Sequence, residues 1–191
     1  MRRNFFSEVF VRVISGTVRG MKLLSPEGTG TRPTLDRVKE SVFNIIMQEV
    51  NGATVLDLFA GSGALGIEAL SRGAIHADFA DSSSEAVDCI KKNISNAKFE
   101  DKSYVFYGDS FLFLEKTRRV YDLIFLDPPY SANLVYKATE KLFENNLVDE
   151  NSHIVLEWDY ADGMPKFFSG FTPVKEKKYG RVGIAILKKG Q

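Results

Sequence analysis

Two periods of apolar residues alternate along most of this chain. The short runs "TVLDLF", "HADFAD", "YVFYGD", "YDLIFLD" and "HIVLEWD" predict strands. The stretches between them, "ALGIEALSR", "SEAVDCIKKNISNA", "SFLFLEKT" and "LVYKATEKLFENNL", carry apolar residues three and four apart and predict helices. Such alternation predicts a doubly wound α/β sheet, whose ligands sit at the carboxyl ends of the strands. Ahead of it, "VRVISGTVRGMKLLSP" with Gly16 and Gly20 predicts a short hairpin, and "EGTGTRP" a loop. Thr34 is expected to cap a helix with Val38, Val42, Ile45, Ile46 and Glu49 on one face, closed by Gly52. Ser82 and Glu85 have the spacing of a capping box for the helix that follows them. At the other end, "FTPVKEKKYGRVGIAILKK" predicts a terminal hairpin turning at Tyr179-Gly180.

Composition narrows the picture. With 191 residues, 44% of them hydrophobic, the chain suits one well-buried domain. The single cysteine, Cys89, excludes an intrachain disulfide, and with only His76 and His153 as imidazoles no metal site is expected. Glu8 and Arg12 interrupt the opening "MRRNFFSEVFVRV" short of a signal-peptide core, and no apolar run approaches a membrane span. A cytoplasmic protein is the expectation. The net charge is zero but uneven: residues 1–39 hold eight Lys/Arg against three acids, a net +5, leaving −5 on the rest. A basic arm on an acidic body attracts phosphates locally, although a solvated surface segment reads the same way.

Four strand ends carry four carboxylates: Asp57, Asp81, Asp109 and Asp127. After Asp57 comes "GSGALG", with Gly61, Gly63 and Gly66 in the pattern of a nucleotide-binding turn, where backbone amides approach an anionic ligand at a helix N-terminus. The charge of Asp57, four positions before Gly61, disfavours a pyrophosphate and therefore a nicotinamide dinucleotide. S-adenosylmethionine, with a sulfonium, an ammonium and one carboxylate, fits an acidic approach better. Asp81, 20 residues after Gly61, stands where an acid accepts from ribose hydroxyls, and Asp109 could accept from the adenine amine or simply cap a helix. Phe59 is the one aromatic expected near the donor.

"IFLDPPY", residues 124–130, supplies the chemistry. The carboxylate of Asp127 and the carbonyl of Pro128 can each accept a hydrogen from an exocyclic amine, turning its nitrogen toward the methyl donor. Pro129 stiffens the turn, and Tyr130 would stack on a target base, an interaction worth about 1 to 3 kcal/mol.

"DLFAGSG", Asp81, Gly108-Asp109 and "DPPY" together resemble the class I S-adenosylmethionine-dependent methyltransferases that act on exocyclic amines. With "RVISGTVRGMKLLSPEGTGTRPTLDRVKESVFNII" at 12–46 and "YGRVGIAIL" near the end, the chain resembles the RsmD family of 16S ribosomal RNA guanine-N2 methyltransferases from about Arg12 onward. The resemblance implies a Rossmann-like seven-stranded core over residues 51–191 and a basic hairpin-and-helix extension over 1–50. It implies catalysis at Asp127, Pro128, Pro129 and Tyr130. Cofactor binding is implied at Asp57, Phe59, Gly61, Gly63, Asp81, Ser82, Asp109 and Ser110, and RNA contact at Arg12, Arg19, Lys22, Arg32 and Arg37. The expected partner is 16S ribosomal RNA within a partly or fully assembled small subunit, met by a monomer. Rival readings are an adenine-N6 methyltransferase acting on DNA or RNA, a nicotinamide oxidoreductase, and a non-catalytic RNA-binding module.

Overall fold

The computed structural model describes residues 11–26, 33–128 and 132–190. The expected α/β alternation is present: β3 (Thr54–Leu58), α3 (Ala64–Ser71), β4 (His76–Asp81), α4 (Ser84–Ala97), β5 (Ser103–Tyr107), α5 (Ser110–Lys116), β6 (Leu123–Leu126), α6 (Ala132–Glu144) and β7 (His153–Asp159). The expected hairpins frame it, β1 (Val11–Arg12) with β2 (Lys22–Leu23), and β8 (Phe171–Tyr179) with β9 (Val182–Lys189). Between them lie α1 (Pro33–Ile45) and α2 (Met47–Val50). Seven strands form one sheet in the order β5-β4-β3-β6-β7-β9-β8, parallel from β5 to β7 and antiparallel through β9. From β3 the chain moves outward one way through β4 and β5, then returns to β6 and moves the other way. That reversal opens the crevice between β3 and β6.

Each sheet face has its own core. Val55, Phe125, Val155, Ile184 and Ile186 pack under α1, α3 and α4, while Leu56, Leu58, Ile124, Leu126, Ile154 and Leu156 meet α5 and α6. All four residues of β6 are fully buried, so each side chain contributes about 1.5 to 3 kcal/mol toward fixing the strand that ends in Asp127.

The N-terminal hairpin is tied to the core by a buried acid. Glu68 on α3 accepts from the amides of Ile14 (2.7 Å) and Ser15 (3.0 Å) and from Nε of Arg72 (2.7 Å), and lies 3.4 Å from Nζ of Lys39. Ser71 Oγ donates to the Ser15 carbonyl (2.6 Å) and accepts from Val18 N–H (3.1 Å).

Three local expectations need correction. The helix after β4 is capped by Ser83, whose Oγ accepts from Ala86 N–H, and not by Ser82. Asp81 takes the Ser83 amide (2.8 Å) in a local turn, which carries the cap one residue further. The helix expected from Thr34 onward begins at Pro33, a residue whose missing N–H suits a first helical position, so Thr34 stands inside it. That helix also breaks at Ile46, leaving α2 as a separate turn before Gly52.

Candidate active site

The crevice begins with a strained turn. Phe59, directly after β3, has a left-handed backbone (φ 66°), costing about 1 to 3 kcal/mol for a residue with a Cβ. Two bonds to one acceptor hold it there: Phe59 N–H and Ala60 N–H both donate to the Ala80 carbonyl (3.0 and 3.1 Å) at the end of β4. Its ring meets Phe111 of α5 edge-on, centroids 6.3 Å apart.

The glycines that follow have different tasks. A Cβ on Gly66 would lie 2.3 Å from the Phe79 ring, so glycine is needed for α3 to pack this closely on β4. Gly63, left-handed at φ 74°, starts α3 without a side-chain cap. At Gly61 a Cβ would meet nothing within 4 Å, so the turn opens there into free space. The amides of Gly61 and Gly63 are already used, by Asp81 Oδ2 (2.8 Å) and the Ala60 carbonyl (2.7 Å). The donors left for a ligand are Ser62, Ala64 and Leu65 N–H, which have no acceptor among the described residues.

Asp57 is buried beneath this turn and accepts from Gly66 N–H (2.9 Å). Burial pushes its pKa up to about 7 against that bond, with repulsion from Asp127 and Asp81 adding to the rise. Asp81 uses both oxygens, accepting from Gly61 and Ser83 N–H, yet retains lone pairs for a hydroxyl. Asp109 is a helix cap: one oxygen accepts from Phe111 N–H (2.8 Å) and Leu112 N–H (3.0 Å), with Ser110 buried as the first residue of α5. Its second oxygen has no hydrogen-bond partner among the described residues.

Asp127 emerges from β6 facing solvent on its outer side, with Pro128 half-buried behind it. Crowding by the surrounding strand ends nevertheless raises its pKa. Pro129 and Tyr130 lie outside the described residues. A further acid, Glu157 of β7, joins this end of the sheet; burial and the charge of Asp127 raise its pKa as well. Sequence reasoning missed it, although a lone charge inside the apolar run "HIVLEW" is itself a signal, because burying an unpaired carboxyl is costly.

The basic residues divide. Arg19, Lys22 and Arg37 are exposed, while Arg12, also exposed, pairs with Asp36 (2.9 Å), and Arg32 lies outside the described residues. Lys39, counted in the basic arm, points inward: its Nζ donates to the Arg12 carbonyl and approaches Glu68, and burial lowers its pKa. At the opposite, amino end of the sheet a cavity of about 330 Å³ is lined by charges of both signs, among them Glu49, Asp122, His153 and Lys188. Among the described residues no three His, Cys, Asp or Glu side chains form a group able to hold a metal ion. No described helix is long and apolar enough to cross a membrane.

The family model described as conserved hypothetical protein 95 matches residues 11–188. Ribosomal RNA small subunit methyltransferase D of Haemophilus influenzae is 40% identical over 179 residues, covering 92% of this chain and 92% of that protein. YlbH of Bacillus subtilis is 38% identical over 182 residues, 94% of this chain and 99% of the other. The solved structure of yhhF from Escherichia coli superposes with a TM-score of 0.85 at 30% identity, covering 94% of this chain and 98% of that one.

Proposed function

The chain belongs to the conserved hypothetical protein 95 family, the RsmD family, and from that membership we propose that it methylates ribosomal RNA. In finer detail, the reading is transfer of a methyl group from S-adenosylmethionine to the exocyclic N2 amine of a guanine in 16S RNA. The observation that carries it is Asp127: an acid without a cationic partner among the described residues, opening to solvent at the end of a fully buried strand, beside the glycine turn.

The turn fits the cofactor. The free amides of Ser62, Ala64 and Leu65 and the open space at Gly61 suit its single carboxylate, and the acids around them suit its two cationic groups. Asp81 and Asp109 would accept from its hydroxyls and adenine amine, and Phe59 and Phe111 would wall the crevice. When bound, the cofactor supplies an electrophilic methyl group on sulfur.

The rest falls to the chain's own residues. Asp127 accepts one N2 hydrogen and the Pro128 carbonyl the other, which turns the nitrogen toward the methyl, and Tyr130 stacks on the base. An aromatic amine is a weak nucleophile, so orientation supplies much of the rate. Asp127 then accepts the proton released from nitrogen.

The deciding measurement is nucleoside analysis after reaction of purified protein with labelled methyl donor, on protein-free 16S RNA and on assembled small subunits in parallel. Label in N2-methylguanosine is expected, more of it on the assembled particle. Label in N6-methyladenosine would replace guanine by adenine as the substrate, and equal labelling of both preparations would remove the requirement for assembly.

A further inference from the structure

Glu157 is the acid of this crevice that no motif explains. Leu126 of β6 pairs in register with Leu156 of β7 at the end of the ladder, so Asp127 and Glu157 are the residues immediately beyond that pair, near enough for the charge of Asp127 to act on Glu157. Parallel neighbours are about 4.8 Å apart and registered side chains share a face. This is the face of Asp57, two positions along β3, over which α1 packs. Glu157 has no hydrogen bond or ion pair among the described residues.

We propose that Glu157 is a positioning residue for Asp127: the two carboxyls share one hydrogen bond across the β6–β7 pair, which aims the free oxygen of Asp127 at the substrate amine. The inference rests on the methyl transfer proposed above.

The surroundings favour sharing one proton. The group facing Glu157 from β6 is Asp127, and β9 offers Ile184 at the register position. On its own strand Asp159 is drawn to Arg181 (2.7 Å), while α1 directs Asp36 to Arg12 and Lys39 to Glu68, with Arg37 and Glu40 exposed. No cation among these reaches the pair, and Asp57 of β3, on the same face and repelled by Asp127, adds a further raised carboxyl, so the neighbouring carboxyls ionise in sequence. Both carboxyls are held above the ordinary carboxylate range, Glu157 by burial and by the charge of Asp127, and of the two Asp127 is the more open to solvent. The single charge therefore rests on the solvent-facing Asp127, the acceptor, and the shared proton on the half-buried Glu157, the donor.

The proton balance follows. As the carbon–nitrogen bond forms, the carbon–sulfur bond breaks and its electron pair stays on sulfur. The proton leaving nitrogen neutralises Asp127, and its loss to water restores the singly protonated pair.

The test is a pH–rate profile from roughly pH 5 to 10 for wild type, Glu157→Gln and Glu157→Ala, with the carboxyl carbons titrated by NMR in ligand-free protein. The wild-type rate should rise as Asp127 ionises and fall as Glu157 ionises. Glu157→Gln, which keeps a donor but cannot ionise, should retain the neutral-pH rate and lose the alkaline fall. Glu157→Ala should lose roughly 10-fold or more through misorientation. In Asp127→Asn the Glu157 titration should move down, because the opposing charge is gone. An unmoved Glu157 titration, or wild-type profiles in both Glu157 variants, overturns the proposal. The titration needs no substrate, so it reports on the pair even if the methyl acceptor is a different base.

Discussion

Two regions of this molecule hold carboxylates against the packed core, and they treat them in opposite ways. Glu68 is completely enclosed and surrounded by donors: two backbone amides of the N-terminal hairpin, Arg72 and Lys39. At the carboxyl ends of the strands, Asp127 stands near both Asp57 and Glu157 with no cation among the described residues to share, and the pKa of each is raised. A buried charge whose hydrogen bonds are complete works as a structural joint. One held near like charges, short of partners, is held ready to take up a proton or a donor from a ligand.

The contrast breaks most visibly at Asp127. Asp127→Ala should lower methyl transfer by about 10² to 10⁴-fold, the usual reach of an acid–base group. Folding should be unharmed, since Asp127 repels both Asp57 and Glu157 and its removal relieves that strain. Calorimetric titration with S-adenosylhomocysteine should show affinity close to wild type, because the free turn amides are untouched. Loss of cofactor affinity matching the loss of rate would return Asp127 to the structural class.

Glu68→Ala is the mirror experiment. It would strand Lys39 and the Ile14 and Ser15 amides without their acceptor, and breaking a buried ion pair costs about 3 to 5 kcal/mol. The denaturant midpoint should fall accordingly, while the rate per folded molecule at low temperature stays within a few-fold of wild type. A catalytic defect in fully folded protein would give Glu68 a role at the reaction site.

How far each region is readable from sequence follows from the range of the signals. The inner parallel strands β3, β4, β6 and β7 are largely buried on both faces, so their apolar runs announce them, and β4 and β7 begin and end with the runs "HADFAD" and "HIVLEWD". The glycine turn is legible because Gly63 and Gly66 satisfy local demands of backbone sign and close packing. Phe59 breaks that rule, since nothing in a phenylalanine announces a positive φ. The pairing of Asp127 with Glu157 depends on the register of two strands far apart in the chain, which no spacing encodes. Lys39 adds to the basic charge of the N-terminal arm in any count, yet the fold turns it inward to Glu68.

The same distinction between partnered and unpartnered charge sharpens the reading of the RNA-facing arginines, where the effects should be smallest. Arg12 is held by Asp36, whereas Arg19 and Arg37 are exposed with no partner among the described residues. Removing a single arginine–phosphate pair should lower the slope of log affinity against log salt by about 0.7 to 0.9. Arg19→Ala and Arg37→Ala are therefore expected to flatten the salt dependence of 16S RNA binding with unchanged thermal stability. Arg12→Ala should alter that slope less, because Asp36 already offsets its charge, and cost no more than about 1 kcal/mol of stability as an exposed pair. Equal slope changes for all three would mean that Arg12 leaves Asp36 for a phosphate when RNA binds, so that the arm's one partnered arginine trades a structural bond for a functional one.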